Sequence, residues 1–403
     1  MRAGRQDFMT ELGSGAVWAD LDPREFERFR RLVSASGRRA EASLAGLADR
    51  ELAVALGVAS AQGALLPEAL LLFGRPEAIR WHLPFHEVAM QVLRGEVAEV
   101  NDFFHWPLFR LAEELLARFR ARTATQAVRY ELVRVQVPAC SEQAFRELLT
   151  NALTHRDYTV PGVVHVRWGE DGIQIANPAR LGVDPRPGTA LSGLPVARNP
   201  LLVDAFRRAG IAQRTGRGVG RAIAEQLRHG LAAPRFERST DRAVIALLPG
   251  DDPDLAFARY VVAREHLGQP LGRAHLQLLT ALIHRHRLRT AEAAALLTTD
   301  RSHARATLFG LLRAGLVQVS GDSAGRTWQL TDQVRRDLRD SAAHVRDQLT
   351  GRTGPATPAP ATPAPATPAP AAHGPAGPHA SAGWAIPDAG PALPPARRAS
   401  GRP

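Results

Sequence analysis

The 403-residue chain contains no lysine; all 51 of its basic side chains are arginine. A Walker A loop needs a lysine to reach phosphates, so a P-loop helicase motor is excluded. The plainest origin of the bias is a genome that favours arginine codons. Cysteine is almost as scarce. Cys140 stands alone, so no intrachain disulfide and no thiolate zinc cluster can form. A buried structural role is expected for it. No apolar run approaches the length that spans a bilayer. Leu65–Phe73 is short and interrupted by Pro67 and Glu68. The N-terminus lacks the apolar stretch of a secretory signal. These absences predict a soluble cytoplasmic protein with no membrane partner. An apolar content of 45% is enough for real cores. The length suggests two or three domains.

The most informative stretch is Phe145–Tyr158, FRELLTNALTHRDY. Glu147, Asn151 and His155 recur at i, i+4 and i+8. On a helix they line one face, drifting by only about 80°. Leu148, Leu149, Ala152 and Leu153 supply the apolar side. A carboxylate can polarise water, and an amide oxygen one turn away can ligate Mg²⁺. The plain alternative is a solvated helix face. Downstream, Val163–Trp168, a turn at Gly169–Gly172 and Ile173–Asn177 alternate as a β-hairpin. Thr215–Gly220 then reads TGRGVG and runs into an amphipathic helix. Glycines at a helix entry admit phosphate close to backbone N–H groups, or simply allow a sharp turn.

In this order the helix, the hairpin and the Gly216/Gly218/Gly220 loop resemble the Bergerat nucleotide-binding fold of gyrase, Hsp90, histidine-kinase and MutL ATPases. NALTHRDY, IQIANPARL, ARNPLLVDAF and GRGVGRAIAEQLRHGLAAPRF together resemble one branch, the bacterial RecG-like or transcriptional-regulator proteins with a C-terminal ATPase-like (GHKL) domain. The resemblance covers roughly residues 1–250. It implies ATP and Mg²⁺ as cofactors, with Glu147 as general base and Asn151 as the Mg²⁺ ligand. It places His155 and Asn177 at the nucleotide, with Asn177 where the wider superfamily has an Asp that reads adenine. Arg198 and Asn199 fall in or near a lid of about residues 180–214, and Gly216, Gly218 and Gly220 cradle the phosphates. The wider fold's Asp-x-Gly-x-Gly box is absent. The branch's Asn-Pro-Gly stands here as Asn177-Pro178-Ala179, which puts a methyl where positive φ is expected. The resemblance also implies that a Schlafen/Alba-type DNA-binding domain, upstream in relatives, is missing.

The predicted fold class is α+β, an α/β sandwich of Bergerat type, then a winged helix-turn-helix and a disordered Pro/Ala-rich tail. Residues 1–45 form an N-terminal linker or helical segment, helical around Pro23–Val33. Residues 46–125 form an α/β subdomain, with a strand within 80–100 and a helix over 102–122 confined or kinked by Pro107. Residues 126–250 form the ATP-binding domain, opening on a strand Val128–Val137. That strand's phase slips at Leu132/Val133, suggesting a bulge or two-sided burial. Arg242–Leu248 closes the sheet. Residues 251–270 are a connector. Residues 271–336 read as three helices and a hairpin. There ten arginines stand against four acids, an excess that suits a DNA backbone. Arg301, His303, Arg305 and Thr307 mark the recognition helix, and Arg326 the wing tip. The alternative is a winged helix used for protein contacts or dimerisation. Residues 337–403 are assigned to the tail, whose PATPAP repeats cannot build a core.

His155-Arg156-Asp157 lacks the downstream Asn of a kinase catalytic loop, where Gly162 stands instead. His86 lies in a strand-like context unsuited to a phosphoacceptor. Two functions survive. One is an ATP-binding, double-stranded-DNA-binding regulator, with slow Mg²⁺-dependent ATPase activity as its enzymatic form and a homodimer as its oligomer. The other is a non-enzymatic DNA-binding regulator on a degenerate ATPase-like scaffold.

Overall fold

Proline and capping residues set most of the helix starts in the computed structural model. It describes residues 15–130, 133–179, 198–212, 218–250, 252–321 and 326–350. Asp22 accepts a hydrogen bond from the Arg24 N–H, and Pro23 opens α1 (Pro23–Ala35). After α2 (Asp49–Ala55), Pro67 and Pro76 open α3 (Pro67–Phe73) and α4 (Pro76–His82). The apolar run Leu65–Phe73 is therefore mostly a core helix. Every residue of α3 is buried, and Phe73 stacks on Phe26 at 4.0 Å.

The single strand expected within 80–100 is instead the end of α4 followed by a hairpin, β1 (Val88–Arg94) and β2 (Val97–Phe104). Gly95, at φ +59°, allows the chain to reverse between Arg94 and Val97. Pro107 precedes α5 (Leu108–Arg122) and confines it without a kink. The strand expected over 128–137 is also two strands, β3 (Thr125–Tyr130) and β4 (Val133–Pro138). They pair antiparallel, with Tyr130 opposite Val133. The phase slip in the sequence marks this reversal and not a bulge. Leu132 itself lies outside the described residues.

Helix α6 (Glu142–His155) starts at a Ser141 cap. Strands β5 (Val164–Gly169), β6 (Gly172–Pro178) and β7 (Ala243–Pro249) follow, with α7 (Pro200–Arg208) and α8 (Gly218–Arg228) between β6 and β7. The five-stranded sheet has the order β2-β1-β5-β6-β7. Only β1 and β5 run parallel within it. Its inward positions are Val164, Val166, Ile173 and Ile175, all buried. Phe145 of α6 stacks on Phe119 of α5 at 4.5 Å. Leu148, Leu149, Ala152 and Leu153 join the same core.

A second core gathers α9 (Leu255–His266), α10 (Arg273–Arg285), α11 (Thr290–Leu297), α12 (Arg301–Arg313) and the hairpin β8 (Val317–Ser320)/β9 (Thr327–Leu330). Leu288 bridges to Trp328, and the Trp328 indole N–H donates to Thr290 Oγ1. The chain then continues as α13 (Asp332–Leu349), which corrects the tail boundary at 337. Thr331 caps it. The Gln348 amide donates to Ala127 O and accepts from the Arg129 N–H, completing the open edge of β3. Both cores lie within one compact unit. The molecule is a mixed α+β fold rich in helix. Among the described residues no helix is long and apolar enough to cross a membrane.

Candidate functional site

Helix α6 carries three of the expected residues on one side and abuts the start of α8. A Cβ added at Gly218 would lie 2.7 Å from Glu147 Oε2 and 3.5–3.7 Å from the Asn151 amide. Only glycine lets the α8 backbone come this close. Glu147 is 7% exposed, so the solvated-face alternative fails for it. Its Oε1 accepts from Arg221 Nη1 at 3.0 Å. Burial raises the Glu147 pKa above its ordinary value, against the pull of Arg221 and Arg146. Arg221 was not singled out from sequence. Its signal was position, since i+3 from Gly218 points back at α6.

His155, at the end of the stripe, is half-buried. Burial lowers its pKa, and the neighbouring Arg198 charge adds to this. Asn177 is buried on β6, with its Nδ2 donating to Pro178 O at 3.3 Å. Ala179 is not among the positive-φ residues, so the expected strain there is absent.

The rest of the motif is structural. Arg156 is fully buried, and its guanidinium donates to the carbonyls of Phe85, Asp157, Val160 and Gly162. It lies over the Tyr158 ring at 4.8 Å. Burial lowers its pKa. Asp157 is 1% exposed and accepts from Thr159 and, at 2.8 Å, from Arg198. Asn199 precedes Pro200 at the start of α7 but does not cap that helix. Its Nδ2 donates to Thr154 O and Arg156 O instead, closing the end of α6. Arg198 and Asn199, expected near a nucleotide, are thus bonded to the His-Arg-Asp segment. Most of the expected lid, 180–197 and 213–214, lies outside the described residues, as does Gly216.

Gly220 faces away from the stripe. A Cβ there would lie 3.4 Å from Arg273 Cδ and 3.5 Å from its Nε, on α10. Of the three loop glycines, Gly218 is the one that meets Glu147 and Asn151. The close seat at Gly218 is a cradle that a side chain would fill, so the residues fit a phosphate beside Asn151. Among the described residues no cluster of three or more His, Cys, Asp or Glu could hold a metal ion. Mg²⁺ would therefore rely on Asn151 together with the nucleotide's own oxygens. A cavity of about 230 Å³ lined by Arg167, Asp171 and Arg238 lies at the β5–β6 turn, the opposite end of β6 from Asn177.

On α12, Arg301, His303 and Arg305 are exposed, and Thr307 Oγ1 is turned back onto His303 O. Arg305 lies over the half-exposed Phe309 ring at 5.6 Å. Arg326 is exposed at the start of β9.

Residues 162–247 match the family described as "Putative ATP-dependent DNA helicase recG C-terminal". That segment resembles a partial GHKL-type nucleotide-binding domain. It contains Asn177, Arg198, Asn199 and α8, and it begins after Glu147, Asn151 and His155. The fold is similar to the crystal structure of the DIP2311 protein from Corynebacterium diphtheriae, with a TM-score of 0.65 and 22% identity. The match covers 81% of this chain and 64% of that one, so the chain spans under two thirds of its relative's length. No curated protein matches the chain.

Proposed function

We propose that the chain binds ATP with Mg²⁺ where α6 meets α8, and that it is a DNA-binding regulator. The observation that carries the nucleotide reading is the seat of Gly218 against Glu147 and Asn151. Asn151 would hold the metal, and the first turn of α8 would face the phosphates. The metal would neutralise phosphate charge. Glu147 has the burial and raised pKa of a group able to take a proton from water. Its pair with Arg221 restrains it, so turnover is expected to be slow. The three helices and hairpin of 273–330 fit a winged helix, and the exposed arginines of α12 and Arg326 fit duplex phosphates. Without lysine the chain has no P-loop motor, and its action on DNA is binding, not strand separation.

Two observations favour a second reading, a DNA-binding regulator on a non-enzymatic scaffold. Glu147 is already ion-paired, and the Asn177 amide is turned to its own backbone. Calorimetry of the full chain with ATP separates the two. Binding in the micromolar-to-millimolar range that requires Mg²⁺ is expected. Asn151→Ala should weaken it, and Glu147→Ala should spare binding and remove turnover. No heat of binding at millimolar ATP with Mg²⁺ would refute the nucleotide reading.

A further inference from the structure

Helix α8 has no solvent side of ordinary width, because two cores share it. Gly218, Arg221 and Ala222, at i, i+3 and i+4, face α6. Gly220, Ile223 and Leu227, at i, i+3 and i+7, face α10 and the second core. Its far end is fixed by Gln226, which is fully buried. That side chain accepts from the Ser141 N–H at the start of α6 and donates to Ala232 O and to Pro249 O at the end of β7. The first turn of α8 has no comparable clamp among the described residues. There a glycine meets the candidate site on one side, and a glycine meets Arg273 on the other.

We propose that α8 is the lever by which occupancy of the Glu147/Asn151 site is passed to the helical unit 273–330. This rests on the nucleotide reading and adds the route. A phosphate seated beside Gly218 changes the position of the first turn, while Gln226 holds the last. The displacement is delivered where Gly220 lies against Arg273, and through Ile223 to α10. A packed interface of this kind responds in discrete steps and not by gradual bending. The same contacts work in reverse, so a ligand on α12 would alter nucleotide affinity by the same factor.

Hydrogen exchange of the full chain, with and without ATP·Mg²⁺ at saturation measured by calorimetry, tests it. In the parent, amides of α8 and α10–α12 should slow by about threefold or more on binding. Gly220→Ala and Arg273→Ala each alter the α8–α10 contact without touching α6. Each should keep ATP affinity within about twofold and lose most of the slowing in α10–α12, while α8 still responds. If ATP binds the parent and exchange in α10–α12 does not change, the lever is refuted and the site stands. If both variants keep the full response, α8 is not the route. If ATP does not bind the parent at all, the site reading falls and the lever with it.

Discussion

Replacing Arg221 by alanine should make stability depend on pH through Glu147. The pair is 3.0 Å long, with side-chain exposures of 23% for Arg221 and 8% for Glu147. At an effective dielectric of about 20, two unit charges at that distance attract by roughly 5 kcal/mol. Desolvation and partial exposure of Arg221 offset much of this, leaving a net loss of about 1–3 kcal/mol on truncation. Glu147 already has a folded pKa above its ordinary 4.5, because burial outweighs Arg221. Without Arg221 the folded pKa rises further. A carboxyl with a raised folded pKa is protonated more readily in the native state. Its stabilising contribution is present below the unfolded pKa and is lost as pH rises through the folded one. The deficit of Arg221→Ala relative to the parent should therefore be small near pH 4 and full near pH 7.5 (roughly the two sides of the transition). Urea midpoints of parent, Arg221→Ala, Glu147→Gln and the double variant measure it. Glu147→Gln should rescue most of the Arg221→Ala loss near neutrality. An equal deficit at both pH values, or no rescue, would refute the ion-pair account.

Three other outcomes follow from the same geometry. Burial holds His86 neutral, with its pKa lowered from 6.5 to about 4, so stability should fall as pH drops through that window, by roughly 3 kcal/mol in all; His86→Gln, which can still donate to Trp106 O, should flatten that slope in urea titrations. Asn199→Ala leaves Thr154 O and Arg156 O without their donor and should cost about 1–3 kcal/mol in unfolding free energy; a loss within error would remove the capping role. Arg301→Ala, Arg305→Ala and Arg326→Ala should each weaken duplex-DNA binding of the full chain and lower the steepness of its salt dependence by about one phosphate; unchanged binding in all three would place DNA elsewhere or nowhere.

The period of the sequence located α6, the β5–β6 hairpin, α8 and β7, because each buries one regular face. It failed where a turn interrupts an apolar run without a strong punctuating dipeptide. Val128–Val137 reads as one strand because the reversal carries Glu131 and Leu132 in place of glycine or asparagine. Within the candidate site, the i, i+4, i+8 stripe was legible and its chemistry was not. Periodicity places Glu147 on a face but does not reveal that Arg221 meets it from another helix. Arg198 and Asn199 look like ligand contacts in sequence, since both are polar and sit beside a glycine- and proline-rich segment. Their partners, Asp157 and the end of α6, are over forty residues away. Gly216, Gly218 and Gly220 look equivalent as letters. The helix phase separates Gly218 from Gly220, and only coordinates fix that phase against two different neighbours.

The Gln348 amide decides where this chain can be cut. Sequence composition invites trimming near residue 337, where the last expected element ends. A chain cut there would keep β3 and lose the one side chain that pairs with Ala127 O and the Arg129 N–H. The hairpin would then present a bare strand edge to the solution, which is a template for pairing with other molecules. A cut after Thr350 keeps the amide in place and removes only the repeats. Soluble behaviour of a shortened chain thus hinges on about a dozen residues that look, letter by letter, like the start of a tail.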